Sequence, residues 1–162
     1  HVRVEGSTGD VHVLGDDGTT VRVTARIRAS SDAAAAKVGV DVARSGDESV
    51  VTVTVPESSP SFLHWIFDRR RISVDLVVRV PRRSGITAHQ STGDLDVRGI
   101  AGAIDARSST GDVHLHAPPG LRAHVETHTS VGDVHNALGN ANVASPVIEA
   151  HTSVGDVTIS TR

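Results

Sequence analysis

The sequence predicts an all-β fold: a β-solenoid resembling a single-stranded β-helix, with rungs of about 18–23 residues, an N-terminal sheet region and one short helix. Three observations lead there. First, the phrase HTSVGDV stands at residues 128–134 and again at 151–157, with looser copies GSTGDVHV at 6–13, QSTGDLDV at 90–97 and SSTGDVHL at 108–115. Second, Gly93, Gly111, Gly132 and Gly155 of these copies follow one another at 18, 21 and 23 residues. At ~3.3 Å per strand residue such a circuit runs roughly 60–75 Å, the length of one stacked coil that buries its apolar face only against its neighbours. Third, the 38% hydrophobic residues are mostly Val, Ile, Leu and Ala, aromatics are 2%, and there are 15 glycines. Many short strands joined by tight turns need that composition.

In chain order, HVRVEG opens as an alternating strand and leads through Gly9-Asp10 into the next, at 11–13. A chain that begins inside a strand, without an initiator Met or signal peptide, is expected to be a piece of a longer protein. Gly9 precedes Gly93 by 84 residues, so residues 15–80 form an excursion. Within it, 19–28 alternates as a strand, and Ser31-Asp32 caps a helix expected over 32–37. Segments 38–43 and 49–55 pair as a hairpin around Gly46-Asp47. A Ser/Pro loop begins at 58, and a long strand over 72–80 stops at Pro81. After each Gly-Asp, alternation turns Leu95, Val97, Val113, Leu115, Val134, Val157 and Ile159 inward and His114 and His116 outward. The expected organisation is an N-terminal β region over 1–81, with the helix and an aromatic/Arg loop at 58–71, continuous with solenoid repeats over 82–162. A single domain over 1–162 is the alternative.

Chemistry-bearing residues fall into columns. The turns Gly9-Asp10, Gly93-Asp94, Gly111-Asp112, Gly132-Asp133 and Gly155-Asp156 use Gly for positive φ and Asp to bond turn backbone. Stacked ~4.8 Å apart, such carboxylates repel by roughly 1 kcal/mol in water and more at lower dielectric. They therefore need either amides to accept from or a Ca²⁺ ion. His89, His128 and His151 lie four residues before their glycines, with Arg107 in the same place; His12, His114 and His135 lie three after theirs. His114 and His116, on one strand face, would chelate zinc with His135 expected one rung away and Asp112 and Asp133 nearby; the other reading is a solvated histidine ladder. Such a ladder gains stacked positive charge as pH falls through about 6.5, so the fold is expected to weaken in acid.

The sharpest local anomaly is SFLHWIFDRRR at 61–71. Phe62, Leu63, Trp65, Ile66 and Phe67, followed by Arg69, Arg70 and Arg71, read either as a cap over the end of the stack or as an exposed patch. An exposed patch would meet a membrane surface, a partner protein or a second copy of the chain. The net charge of −3 gives no reason to bind nucleic acid. Cysteine is absent, so there is no thiol chemistry, and no apolar stretch approaches the ~20 residues of a membrane-spanning helix. No nucleophile elbow, phosphate loop or metalloprotease helix is present, so neither an enzyme nor a cofactor nor a small-molecule substrate is expected.

The repeated STGDV units, the opening VRVEGSTGDVHV followed by TVRVTA, and the strand SVDLVVRVP leading into GITAHQSTGDLDV carry a resemblance. From residue 2 to about 159 the chain resembles the bacterial "putative adhesin" family of β-strand-repeat domains of unknown function. The resemblance implies a β-solenoid in a secreted or membrane-tethered protein, some members being linked to envelope stress responses, and it supplies no catalytic residues. It thus implies a non-catalytic scaffold or adhesion module of the bacterial cell envelope that meets a protein or envelope component, the cytoplasm being the alternative location. A metal-binding repeat module and a membrane-surface module acting through 61–71 are the rival functions.

Overall fold

The computed structural model describes residues 1–29, 35–36, 38–54, 72–144 and 146–161. Their strands are β1 (Val2–Thr8), β2 (Val11–Asp16), β3 (Arg22–Arg28), β4 (Gly39–Ser45), β5 (Glu48–Thr54), β6 (Ser73–Pro81), β7 (Ile86–Thr92), β8 (Leu95–Arg98), β9 (Ile104–Thr110), β10 (Val113–Ala117), β11 (His124–Val131), β12 (Val134–Asn136), β13 (Val147–Val154) and β14 (Val157–Thr161). They form two seven-stranded sheets, ordered β11-β13-β9-β7-β1-β5-β4 and β12-β14-β10-β8-β2-β6-β3. Pairing is parallel except where β4 meets β5 and β3 meets β6. Strands from both sides of residue 81 share both sheets, since β1 pairs β7 and β2 pairs β8.

This corrects the β-solenoid expectation. The chain makes two mixed sheets rather than coils stacked in sequence order: β13 enters between β9 and β11, β14 enters between β10 and β12, and β3 and β4 run against their neighbours. Equal corner phrases show that two units turn alike, but they leave open which unit lies beside which. The unit placed at the edge is the one with the three-residue strand β12, where Val134 is 45% exposed rather than inward as alternation suggested. The helix expected over 32–37 falls mostly on residues outside the described ones, as does the aromatic/Arg loop at 58–71.

The core lies between the sheets and narrows toward the Gly-Asp corners. On the first sheet the inward positions form a row of Val2, Ile86, Ile104 and Ile148, then a row of Val4, Ala88, Ala106 and Ala150, and then Gly6, Gln90, Ser108 and Thr152. Large aliphatic, small aliphatic and polar groups thus succeed one another as the sheets converge. Facing them are Val11, Val13, Leu76, Val78, Leu95, Val97, Val113, Leu115, Val157 and Ile159, all buried.

Each corner is fastened to the next in two ways. The Asp10 carboxylate accepts the Asp94 amide at 3.1 Å, Asp94 accepts Asp112 at 3.0 Å, Asp112 accepts Asp156 at 2.8 Å and Asp156 accepts Asp133 at 2.8 Å. Asp75 continues the ladder by accepting the Asp10 amide at 3.4 Å. Meanwhile the inward polar row donates to the glycine carbonyls: Ser108 to Gly93, Thr152 to Gly111, Thr129 to Gly155, and the Gln90 amide to Gly9. The carboxylates therefore sit against amide dipoles of adjacent corners, which offsets the repulsion of like charges in a column.

One edge is dressed by a side chain. At β11 the outward backbone of Val125 is met by Asn140, whose Oδ1 accepts the Val125 N–H and whose Nδ2 donates to the Val125 carbonyl, both at 3.2 Å. The amide imitates a neighbouring strand there and protects an edge that would otherwise invite pairing.

Candidate functional site: a polar groove on the outer face of the first sheet

Because β1, β7, β9, β13 and β11 pair in parallel register, residues at equal distance before the corner glycine line up across the sheet. Alternation turns two of these rows outward. Glu5, His89, Arg107, His151 and His128 make one; Ser7, Ser91, Ser109, Ser153 and Ser130, two residues nearer the corner, make the other. Between them lies a concavity of about 580 Å³ lined by these imidazoles, Arg107, Glu5 and the hydroxyls of Ser91, Ser109, Ser130 and Ser153.

Arg107 is the fixed charge of the groove. Its Nε donates to Asp105 at 2.7 Å and a terminal nitrogen to Glu149 at 3.4 Å. The hydrogen bond and charge of Asp105, with a smaller share from Glu149, hold the guanidinium above its ordinary pKa. These two contacts use two of its five N–H groups. The His128 and His151 rings lie on adjacent strands with centroids 6.1 Å apart and planes tilted by 45°.

The outer face of the second sheet holds the other histidine column. There the order is His12, Asp96, His114, Thr158, His135. His135 was expected one rung from His114, and this is corrected: β14 places Thr158 between them. His116 Nδ1 and Ser160 Oγ are 2.7 Å apart. Asp112, the other proposed ligand, is engaged by the amide of Asp156, and Asp133 stands at the open end of the ladder. Among the described residues no three His, Asp or Glu side chains form a group able to hold a metal ion. Phe62, Leu63, Trp65, Ile66, Phe67, Arg69, Arg70 and Arg71 lie outside the described residues.

Asp96 is the buried acid of that face, 7% exposed. Burial alone would raise its pKa, but the hydrogen bond and charge of Arg98, together with His116 and His12, bring it below the ordinary 3.8. Arg98 Nε donates to both carboxylate oxygens, at 2.8 and 2.9 Å. A carboxyl whose folded pKa is depressed adds stability that is present above the unfolded value and is lost as pH falls through the folded one. Asp96→Asn is therefore expected to be less stable than the parent at neutral pH. The gap should begin to close as the pH drops below about 3.8 and vanish below the lowered folded value; urea titrations at pH values on both sides check this, and a gap that does not shrink in acid contradicts it.

The outward serine row and the inward Gln90, Ser108, Thr129 and Thr152 are columns that the sequence reading missed. Both were signalled, since alternation applied backward from each glycine gives a period of two in which the second residue faces out and the third faces in.

No family model matches the chain, and no curated protein matches it. Its fold is shared with a solved structure described as a "putative cell adhesion protein" from Clostridium sporogenes, with a TM-score of 0.56 and 9% identity over 99% of this chain and 92% of that one. A second solved structure, a "putative adhesin" from Bacteroides fragilis, aligns with a TM-score of 0.38 and 11% identity over 99% of this chain and 91% of that one. The first likeness concerns the fold. No helix of the described residues is long and apolar enough to cross a membrane.

Proposed function

We propose that this chain is a non-catalytic interaction module of the bacterial cell surface, a member of the "putative adhesin" group, whose partner is a protein or another component of the cell envelope. The observation that supports this best is the fold likeness to the "putative cell adhesion protein" of Clostridium sporogenes along nearly the whole of both chains. The molecule's own surface agrees with it. A stiff frame of paired strands presents an open, polar groove, and sites that only bind need convergent donors on rigid elements without a nucleophile, base and oxyanion pocket brought together. Localisation to the cell surface or the secreted fraction belongs to the same reading.

The test uses the whole chain, fluorescently labelled, on intact bacterial cells and on isolated cell-envelope sheets. Saturable retention that unlabelled protein displaces is expected. Retention that never saturates, or none on any envelope preparation, overturns the reading.

A further inference from the structure

The groove on the first sheet has a chemical bias that narrows its ligand, and the inference below rests on the interaction-module reading. Its lining is polar and holds a single carboxylate: the guanidinium of Arg107, the rings of His89, His128 and His151 and the row of serine hydroxyls, with Gln90, Ser108 and Thr152 among them and Glu5 as the carboxylate. We propose that the groove binds an acidic polysaccharide, a linear uronic-acid polymer lying across the strands. Its carboxylates would meet the His/Arg row and its hydroxyls the serine row, and binding would tighten as the imidazoles take up protons.

Three features select this ligand. Adjacent strands repeat every ~4.8 Å, close to the rise of one pyranose unit along an extended glycan, so one strand offers one cationic or imidazole donor and one hydroxyl per sugar. Each serine hydroxyl both donates and accepts, which suits sugar hydroxyls, while charged donors give the stronger hydrogen bonds to carboxylates. Other linear anions fit less well. An extended peptide gains affinity from backbone pairing at a sheet edge, whereas this groove lies on a sheet face.

The surrounding charges set the pH dependence. Around the groove the first sheet also carries Glu48 and Asp41 from β5 and β4, Arg3 from β1, Asp105 from β9, Glu149 from β13, and His124 and Glu126 from β11, with His1 beside β7. With neutral imidazoles the carboxylates outnumber the guanidiniums and repel a polyanion. His89 Nε2 is buried, so protonated rings of His128 and His151, beside Arg107, reverse that balance where the ligand would lie.

The experiment is calorimetric or fluorescence titration of the whole chain with hexagalacturonate, at about pH 5.5 and about pH 7.5 in one buffer of fixed ionic strength, with cellohexaose as the neutral control. Hexagalacturonate is expected to bind at the lower pH and roughly tenfold more weakly at the higher, the size of one lost charge-assisted hydrogen bond; cellohexaose should not compete. The His128→Gln/His151→Gln double variant, whose rings lie on the outer face, exposed at His128 and half-buried at His151, should keep its melting temperature and lose the pH dependence. Ser109→Ala/Ser153→Ala should weaken binding at both pH values. Binding equal at the two pH values, no binding at the lower one, or a histidine variant indistinguishable from the parent overturns the assignment. Loss of hexagalacturonate binding with envelope retention intact removes only this ligand class, whereas loss of envelope retention removes the interaction-module reading.

Discussion

Gly111→Ala is expected to cost roughly 3 kcal/mol or more, a large fraction of the stability of a small domain. Two physical terms add. Gly111 has φ of +133°, a backbone region that side chains with a Cβ rarely enter. A Cβ built there would also lie 2.2 Å from the Gly93 carbonyl oxygen, and that atom belongs to backbone fixed by the neighbouring corner. The same approach recurs up the column: Gly93 meets the Gly9 oxygen at 1.9 Å, Gly132 meets Gly155 at 2.0 Å and Gly155 meets Gly111 at 2.2 Å. Moving one corner aside therefore also breaks the Asp-to-amide and hydroxyl-to-carbonyl bonds to the corners beside it. Gly46→Ala is the control. Its φ is +59°, and nothing lies within 4 Å of the added Cβ, so only left-handed backbone strain of about 1 kcal/mol remains. Urea midpoints of the two variants against the parent decide the matter; a Gly111→Ala variant no less stable than Gly46→Ala removes the close-approach argument.

That contrast explains why the corner was the most legible part of the sequence. Gly-Asp recurs because each letter has a backbone reason repeated at every level of the column, so selection for one corner is selection for all. The hairpin around Gly46-Asp47 was legible for a similar local reason: a turn flanked by alternating strands specifies its own partner, and β4 pairs β5 as expected. Strand order was not legible. β13 and β11 share the letters HTSV, and either could lie next to β9, since a parallel neighbour is chosen by contacts far away in the chain. The choice is made by features with no repeat signature, such as Asn140 covering the Val125 edge and the short β12. The edge is marked in one place: the residue before the corner glycine is Thr8, Thr92 and Thr110 inside the stack but Val154 and Val131 at the open end, 49% and 64% exposed.

The groove was half legible for the same reason. His89, His128, His151 and Arg107 stood out as a column because imidazoles are rare, whereas serine is common and its row drew no attention. The expectation that His135 lies beside His114 took the next unit in sequence to be the next strand in space. With β14 interposed, Thr158 occupies the place where a ligand was sought.

The taper of the core gives a second large effect. Ile148 lies in the wide row at 1% exposure and Ala150 in the narrow row at 0%, two residues closer to the corner. Ile148→Ala is expected to cost about 2–5 kcal/mol through lost burial and an unfilled cavity. Ala150→Ile should cost about 1–3 kcal/mol by overpacking the narrow row, where Ala106 is its partner on β9. If the core were a fluid filled to constant volume, the double variant, which only exchanges the two side chains, would recover most of the loss. The corner fastenings forbid that. Thr152 donating to Gly111 fixes the sheet separation two residues beyond Ala150, so the narrow row cannot open to accept an isoleucine while the wide row collapses around an alanine. The double variant is therefore expected to be at least as unstable as Ile148→Ala alone. Denaturation of the four proteins in a double-mutant cycle measures the coupling, and recovery to near-parent stability would show that the rows adjust freely and that the taper is a consequence of the side chains rather than of the corners.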